Sequence, residues 1–295
     1  MATLDPHADL IAVINEIARR PAGVDVIRAG STTPDSAAIA LVREGAARYI
    51  VQISPVGYPN IVATACERAR AFAAAIGPSL AQAIVLPITE GAYDGRSFAC
   101  FPFHAAFRHD RWTWWYLRSR ISAALLDWLE DIARLRQPAG DDAHDYRQSL
   151  SALAGVAGMD KEIRSAAIAA ADKLEKGDAI PCHVPMHGDL WRGNILKPAS
   201  IGLQPFAIID WGGSRVEGYP IFDLVRMALS YKLPLAQLRH ALRRHAALMQ
   251  CDERNVDVHL LAALGHYARD CGEMALPVFV AMSRACFNLY RKTRE

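Results

Sequence analysis

The chain has 295 residues, 52% hydrophobic and 22% charged, with 33 basic against 31 acidic side chains and a formal net charge of +2. That length and apolar content build a large buried core, exclude global disorder, and fit two lobes around a cleft. The balanced charge and the lack of any Lys/Arg tract give no reason to expect nucleic acid as a partner, and no apolar run approaches the ~20 residues of a membrane span.

The opening stretch, MATLDPHADLIAVINEIARRP, has acids early and an Arg pair late, the reverse of a signal peptide, and reads as a short amphipathic helix. GVDVIRAG, SAAIALVREG and ARYIVQISP follow as short β-rich runs separated by Gly, Ser, Thr, Pro and Asp, the pattern of an antiparallel meander. NIVATACERARAFAAAIG reads as an Ala-rich helix that Gly77-Pro78 stops. AIVLPITEG and RSFACFPFH make two more strands. Residues 1–104 therefore read as a small strand-rich lobe of five strands and one helix.

From 105 onward the composition turns helical, making a second, larger lobe of residues 105–295. WTWWYLRSRISAALLDWLEDIARLRQ is a long helical pattern, QPAGDDAHD a polar loop, and about 146 to 176 a second Ala-rich helical stretch. Beyond about 219 everything reads helical, from FDLVRMALSYKL to ALPVFVAMSRACFNLYRK. The six cysteines (Cys66, Cys100, Cys182, Cys251, Cys271, Cys286) are scattered without a CxxC, as expected of reduced, mostly buried thiols in a cytoplasmic protein. Cys182 and His183 near His187 lack a fourth partner at zinc spacing.

Between these helices lies MHGDLWRGNIL, and shortly after it FAIIDWGG. His187, Asp189 and Asn194 form H-x-D-x4-N, and Asp210 stands 16 positions after Asn194 at the end of an apolar run. Asn and Asp side chains are hard oxygen ligands suited to Mg²⁺. A carboxylate left off the metal can accept a proton from a hydroxyl. Together they supply what phosphoryl transfer needs: charge neutralised on phosphates and an oriented attacking oxygen. In isolation each group is also a common turn former; the combination and its order carry the signal.

HGDLWRGNIL followed by IIDWGG resembles the aminoglycoside phosphotransferase family, which shares the protein-kinase-like fold. The resemblance implies an α+β fold, with a small five-stranded antiparallel N-terminal lobe carrying one helix and a larger, mainly helical C-terminal lobe. It implies ATP and Mg²⁺ as cofactors, Asp189 as catalytic base, His187 as a brace of the loop, and Asn194 with Asp210 as metal ligands. It further implies that Asp223, in GYPIFDLVRM, anchors the catalytic loop. Gly30 and Ser31 of the first turn would cover phosphate, and the hinge after the fifth strand, at Phe103, would hold adenine.

One position departs from the pattern. Where the family carries a third-strand Lys or Arg paired with a helix Glu, RYIVQIS places Gln52, with Glu67 as the helix acid. Gln52 brings no charge to a polyphosphate, and Arg48, four residues away on the strand, is ~13 Å distant. Arg43 on the neighbouring strand is another candidate. The departure sets a pseudokinase-like module, binding nucleotide or a partner without transfer, beside the reading as an ATP-dependent small-molecule kinase. The acceptor would be a hydroxyl of a sugar, an amino alcohol or a similar metabolite, with an aminoglycoside among the candidates. From Arg215 onward 12 Lys/Arg face 8 Asp/Glu, an excess that favours a neutral or anionic compound over a polycation. The Trp-rich RWTWWYLRS fits core or interface packing better than a sugar wall.

Overall fold

The computed structural model describes residues 11, 14–15, 23–30, 37–107, 111–138, 143–198, 204–269 and 274–295. Most of the expected first helix, Ser31 and Cys271 lie outside them, as do the side chains of Trp112, Trp114, Trp115 and Tyr116.

The strand-rich part is a five-stranded antiparallel sheet in the order β1-β2-β3-β5-β4, from β1 (Gly23–Arg28), β2 (Ala38–Glu44), β3 (Ala47–Ile53), β4 (Thr89–Tyr93) and β5 (Arg96–Pro102). Alternation gives the sheet two working faces. Ala38, Ala40, Val42, Val51, Ile53, Phe98 and Cys100 bury one of them together with Ile14. The opposite face carries Ala99 and Phe101, which pack with Val62 and Cys66 of helix α1 (Ile61–Ala81). The same face, through the register Ile39↔Gln52 and Gln52↔Ala99, holds Gln52. The helix breaks where Gly77-Pro78 predicts: Gly77 sits at φ 79°, ψ 165°, and Pro78 then opens one further turn. AIVLPITEG, read as one strand, lies mostly outside a strand: β4 begins only at Thr89, and Ile84 instead bridges to Ile208.

The helical part contains α2 (Arg111–Ala133), α3 (Ala143–Gly155), α4 (Lys161–Glu175), α5 (Phe222–Tyr231), α6 (Leu235–Met249), α7 (Val256–Arg269) and α8 (Leu276–Lys292). The stretch from 146 to 176, read as one helix, is two, because Gly158 turns the chain at φ 74° between α3 and α4. Two small sheets carry the motif, and of their strands the sequence reading expected one, the run PFAIID that contains β9: β6 (Gln137–Pro138), β7 (Cys182–Met186) and β10 (Arg215–Gly218) in the order β10-β7-β6, and the pair β8 (Ile195–Leu196) with β9 (Ala207–Ile208). One large apolar cluster runs from Phe72 and Trp128 through Leu190, Ile208 and Trp211 to Phe287, so the motif loops rest on a continuous core. No helix among the described residues is long and apolar enough to cross a membrane.

Candidate active site

β7 ends at Met186 and delivers His187, Gly188 and Asp189 into a turn. His187 is fully buried. Its Nδ1 accepts the Asp189 N–H at 3.1 Å, so the other nitrogen, Nε2, carries the proton and donates to Ile209 O at 3.0 Å. Burial pushes the imidazole down to about 4 against the pull of the Ile209 bond and the charge of Asp189, so it stays neutral and braces two segments. Its ring meets Trp211 edge-on at 4.5 Å.

Gly188 is at φ 90°, where a Cβ would lie 2.4 Å from Gly213 O and 2.5 Å from Tyr267 Oη; only glycine fits there. Beneath the turn, the buried Asp223 carboxylate accepts the N–H of His187 at 2.6 Å and of Gly188 at 3.0 Å. Burial pushes Asp223 up to about 7, opposed by the N–H groups of His187, Gly188 and Leu190. Its neighbour Ile221 holds φ 77° while buried, a costly conformation for a β-branched residue that the surrounding packing enforces.

Asp189 points out of this brace, its side chain 40% exposed. Its Oδ2 accepts from Asn194 Nδ2 at 3.2 Å, and Arg226 of α5 forks onto Oδ1 through Nη2 at 2.9 Å and Nε at 3.2 Å. Arg226 was not anticipated: in sequence it looks like one more solvated helix arginine. Asn194 also donates to Asp189 O at 2.9 Å, so both of these bonds use its amide nitrogen and neither uses Oδ1. Asn194 O accepts from Ile209 N at 3.1 Å, in line with the Ile195↔Ile208 pairing. That short ladder sets Asp210 beside Asn194. Asp210 is exposed at φ 68°. Asn and Asp oxygens at adjacent backbone positions are the donor types that would suit Mg²⁺, which takes a few protein oxygens and keeps waters and phosphate oxygens for the rest.

The remaining expected positions are more scattered. Gly30 follows β1 at φ 83°, and its neighbour Ser31 lies outside the described residues. Phe103 donates its N–H to Arg48 O at 3.3 Å, and the Arg48 guanidinium lies over its ring at 5.6 Å. Gln52 is half-buried on β3, whereas Glu67 faces solvent, and no hydrogen bond joins the two. Cys182 and His183 serve the core: Cys182 O accepts from Tyr146 Oη at 2.5 Å, and His183 Nδ1 lies 3.1 Å from Gly218 O.

A model of the phosphotransferase enzyme family matches residues 35–256. The chain belongs to that family. Its match takes in the loop of Asp189, the Asp210 turn and the Asp223 anchor. Solved structures share the fold at low identity. A thermostable mutant of aminoglycoside phosphotransferase APH(4)-Ia in ternary complex with ADP and hygromycin B superposes with a TM-score of 0.59 at 13% identity, over 96% of this chain and 97% of that one. A putative fructosamine-3-kinase from Haemophilus somnus gives 0.58 at 11%, over 96% and 98%. Choline kinase LicA from Streptococcus pneumoniae gives 0.52 at 12%, over 96% of each. No curated protein sequence matches the chain. The protein is thus a phosphotransferase-family member of α+β, protein-kinase-like fold.

Proposed function

We propose that this protein transfers the γ-phosphate of ATP to a hydroxyl of a small molecule, with residues 1–104 as nucleotide lobe and 105–295 as catalytic and acceptor lobe. The observation that carries the reading is Asp189 held by the Asn194 side chain at 3.2 Å, with Asp210 one residue beyond the Ile209–Asn194 backbone bond at 3.1 Å. Asp189 accepts a hydrogen bond from the acceptor hydroxyl, aligns its oxygen with the γ-phosphorus, and takes the proton as the new P–O bond forms and the bond to ADP breaks. Asn194 and Asp210 would hold Mg²⁺, which neutralises phosphate charge when bound. His187 and Asp223 keep the loop in register, and Gly30, Ser31 and Phe103 are assigned to the nucleotide.

Arg226 sits on the base itself, so the acceptor meets a cation at the point of attack. That supports a neutral or anionic hydroxyl compound, such as a sugar or a phosphorylated metabolite, over a polycationic aminoglycoside. The uncharged Gln52 supports a second reading, a nucleotide- or partner-binding module without transfer. ADP release over a panel of hydroxyl metabolites separates them. Asp189→Ala is expected to lower turnover by about a hundred- to ten-thousandfold while leaving Mg-ATP binding, measured by calorimetry, intact. Wild-type turnover in that variant refutes the base assignment; no turnover with any acceptor favours the second reading.

A further inference from the structure

A triphosphate beside Asp189 and Asp210 adds negative charge to a site that already holds two carboxylates. Arg226 is committed to Asp189 on the acceptor side. Other basic residues of the small lobe are ion-paired or lie away from Gln52. Arg43 pairs with Asp25, and Arg70 pairs with Glu90. Arg48 lies over Phe103 at the hinge end of β3. Arg28 donates Nε to Ala37 O at 2.9 Å, and the register Arg28↔Ile39 and Ile39↔Gln52 sets it two strands from Gln52, or ~10 Å.

Arg68 is placed differently. The buried positions of α1, Val62, Cys66, Ala69, Phe72 and Ile76, fix the phase of the helix. They turn Glu67 outward and put Arg68 on the flank that looks at the Asp210 turn, one helical turn before Phe72. Phe72 packs on Trp211 with ring centroids 4.8 Å apart. The Arg68 guanidinium donates through Nη1 to Gly212 O, two residues past Asp210. Thus α1 docks on the Asp-Trp-Gly turn through an apolar contact and a cation, in adjacent turns of one face.

We propose that Arg68 is the phosphate-binding cation of this enzyme, supplied from helix α1 in place of the charge that Gln52 omits from β3. The inference rests on the kinase reading above and goes beyond it. One N–H of the guanidinium fork stays on Gly212 O and fixes its position; the other four donors are geometrically suited to phosphate oxygens. The arrangement also reports the posture of α1, because the cation is in place only while Phe72 and Trp211 are in contact.

Calorimetry of the full-length chain with Mg-ATP and with adenosine tests this at fixed ionic strength. Arg68→Gln is expected to weaken Mg-ATP about ten- to a hundredfold, the worth of one or two charge-assisted hydrogen bonds, with adenosine unchanged within twofold. Gln52→Lys added to that variant is expected to restore at least tenfold of the lost affinity by returning a cation to the strand. An Arg68→Gln protein that binds Mg-ATP as the wild type does, that loses adenosine to the same extent, or that gains nothing from Gln52→Lys overturns the assignment. A wild-type chain that binds neither nucleotide nor nucleoside refutes the kinase reading itself, a different result from any of these.

Discussion

The Asp189 carboxylate is held from two sides, by Asn194 on Oδ2 and by the planar fork of Arg226 on Oδ1. A point-charge ammonium cannot reproduce two N–H bonds that converge on one oxygen from a single rigid group. On the proposed reading, Arg226→Lys is therefore expected to lower kcat by about tenfold or more with the KM for ATP nearly unchanged, since Arg226 would orient the proposed base and lies on α5 in the helical part; steady-state kinetics with a saturating acceptor checks it. A change confined to KM for ATP contradicts this role. The chemistry of the loop was readable from residue types and spacing, since His, Asp, Asn and Gly each do there what few other side chains can. Arg226 and Arg68 were not readable in that way. An arginine on an amphipathic helix has the same local signature whether it ends in solvent or on a carboxylate, and Glu67 was expected as the helix acid that the family resemblance implies, whereas it faces solvent. The spacing of Val62, Cys66, Ala69 and Phe72 contained the phase that separates the two.

At the scale of elements, the Asp189 loop is positioned by packed helices of the helical part. Tyr267 of α7 donates to Gly188 O at 2.8 Å. Two residues earlier, Gly265 lies so close to α3 that a Cβ would fall 1.8 Å from Ser149 O. Gly265→Ala must push α3 and α7 apart and carry Tyr267 with them. The expected cost is about 1–3 kcal/mol, seen by calorimetry as a melting temperature ~3–10 °C lower, together with lost turnover at temperatures where the variant is still folded. Unchanged turnover at equal folded fraction denies the coupling between helix spacing and loop. Strands β1, β2, β3 and β5 were legible because their apolar residues alternate and turn formers bound them. β9 was legible as the end of the apolar run PFAIID, whereas β7 is buried along its whole length as CHVPM, and β6 and β8 have two residues each. Such segments carry no periodicity to read, since their pairing is dictated by the core they cross. The undivided reading of 146 to 176 failed for the opposite reason, because Ala-rich propensity masked Gly158.

Across the whole molecule, three histidines are built into the interior uncharged. Burial lowers His187, His245 and His259 to about 4 each, and each is enclosed by a different part of the fold: the catalytic loop, α6 against α2, and α7 against Tyr146. Unfolded, all three titrate near 6.5. Above that pH neither state binds these protons, and their stabilisation is fully present. As pH falls from 6.5 toward 4 the unfolded chain takes up protons that the folded chain refuses, so stability declines through that window. Each histidine contributes up to about 3 kcal/mol to the loss, a large share of a domain's usual 5–15 kcal/mol. Urea unfolding at pH 7, 5.5 and 4.5 is expected to show a falling midpoint, steepest below 6.5. Replacing His245 by Phe removes one titrating group without entering the catalytic loop and is expected to make the decline shallower by up to one proton in slope. A variant whose stability falls with pH as steeply as the wild type's assigns the acid sensitivity to carboxylates instead. The same linkage ties fold to site, since the proton that His187 excludes is the one that would break its acceptance of the Asp189 N–H and release the loop that holds the proposed base.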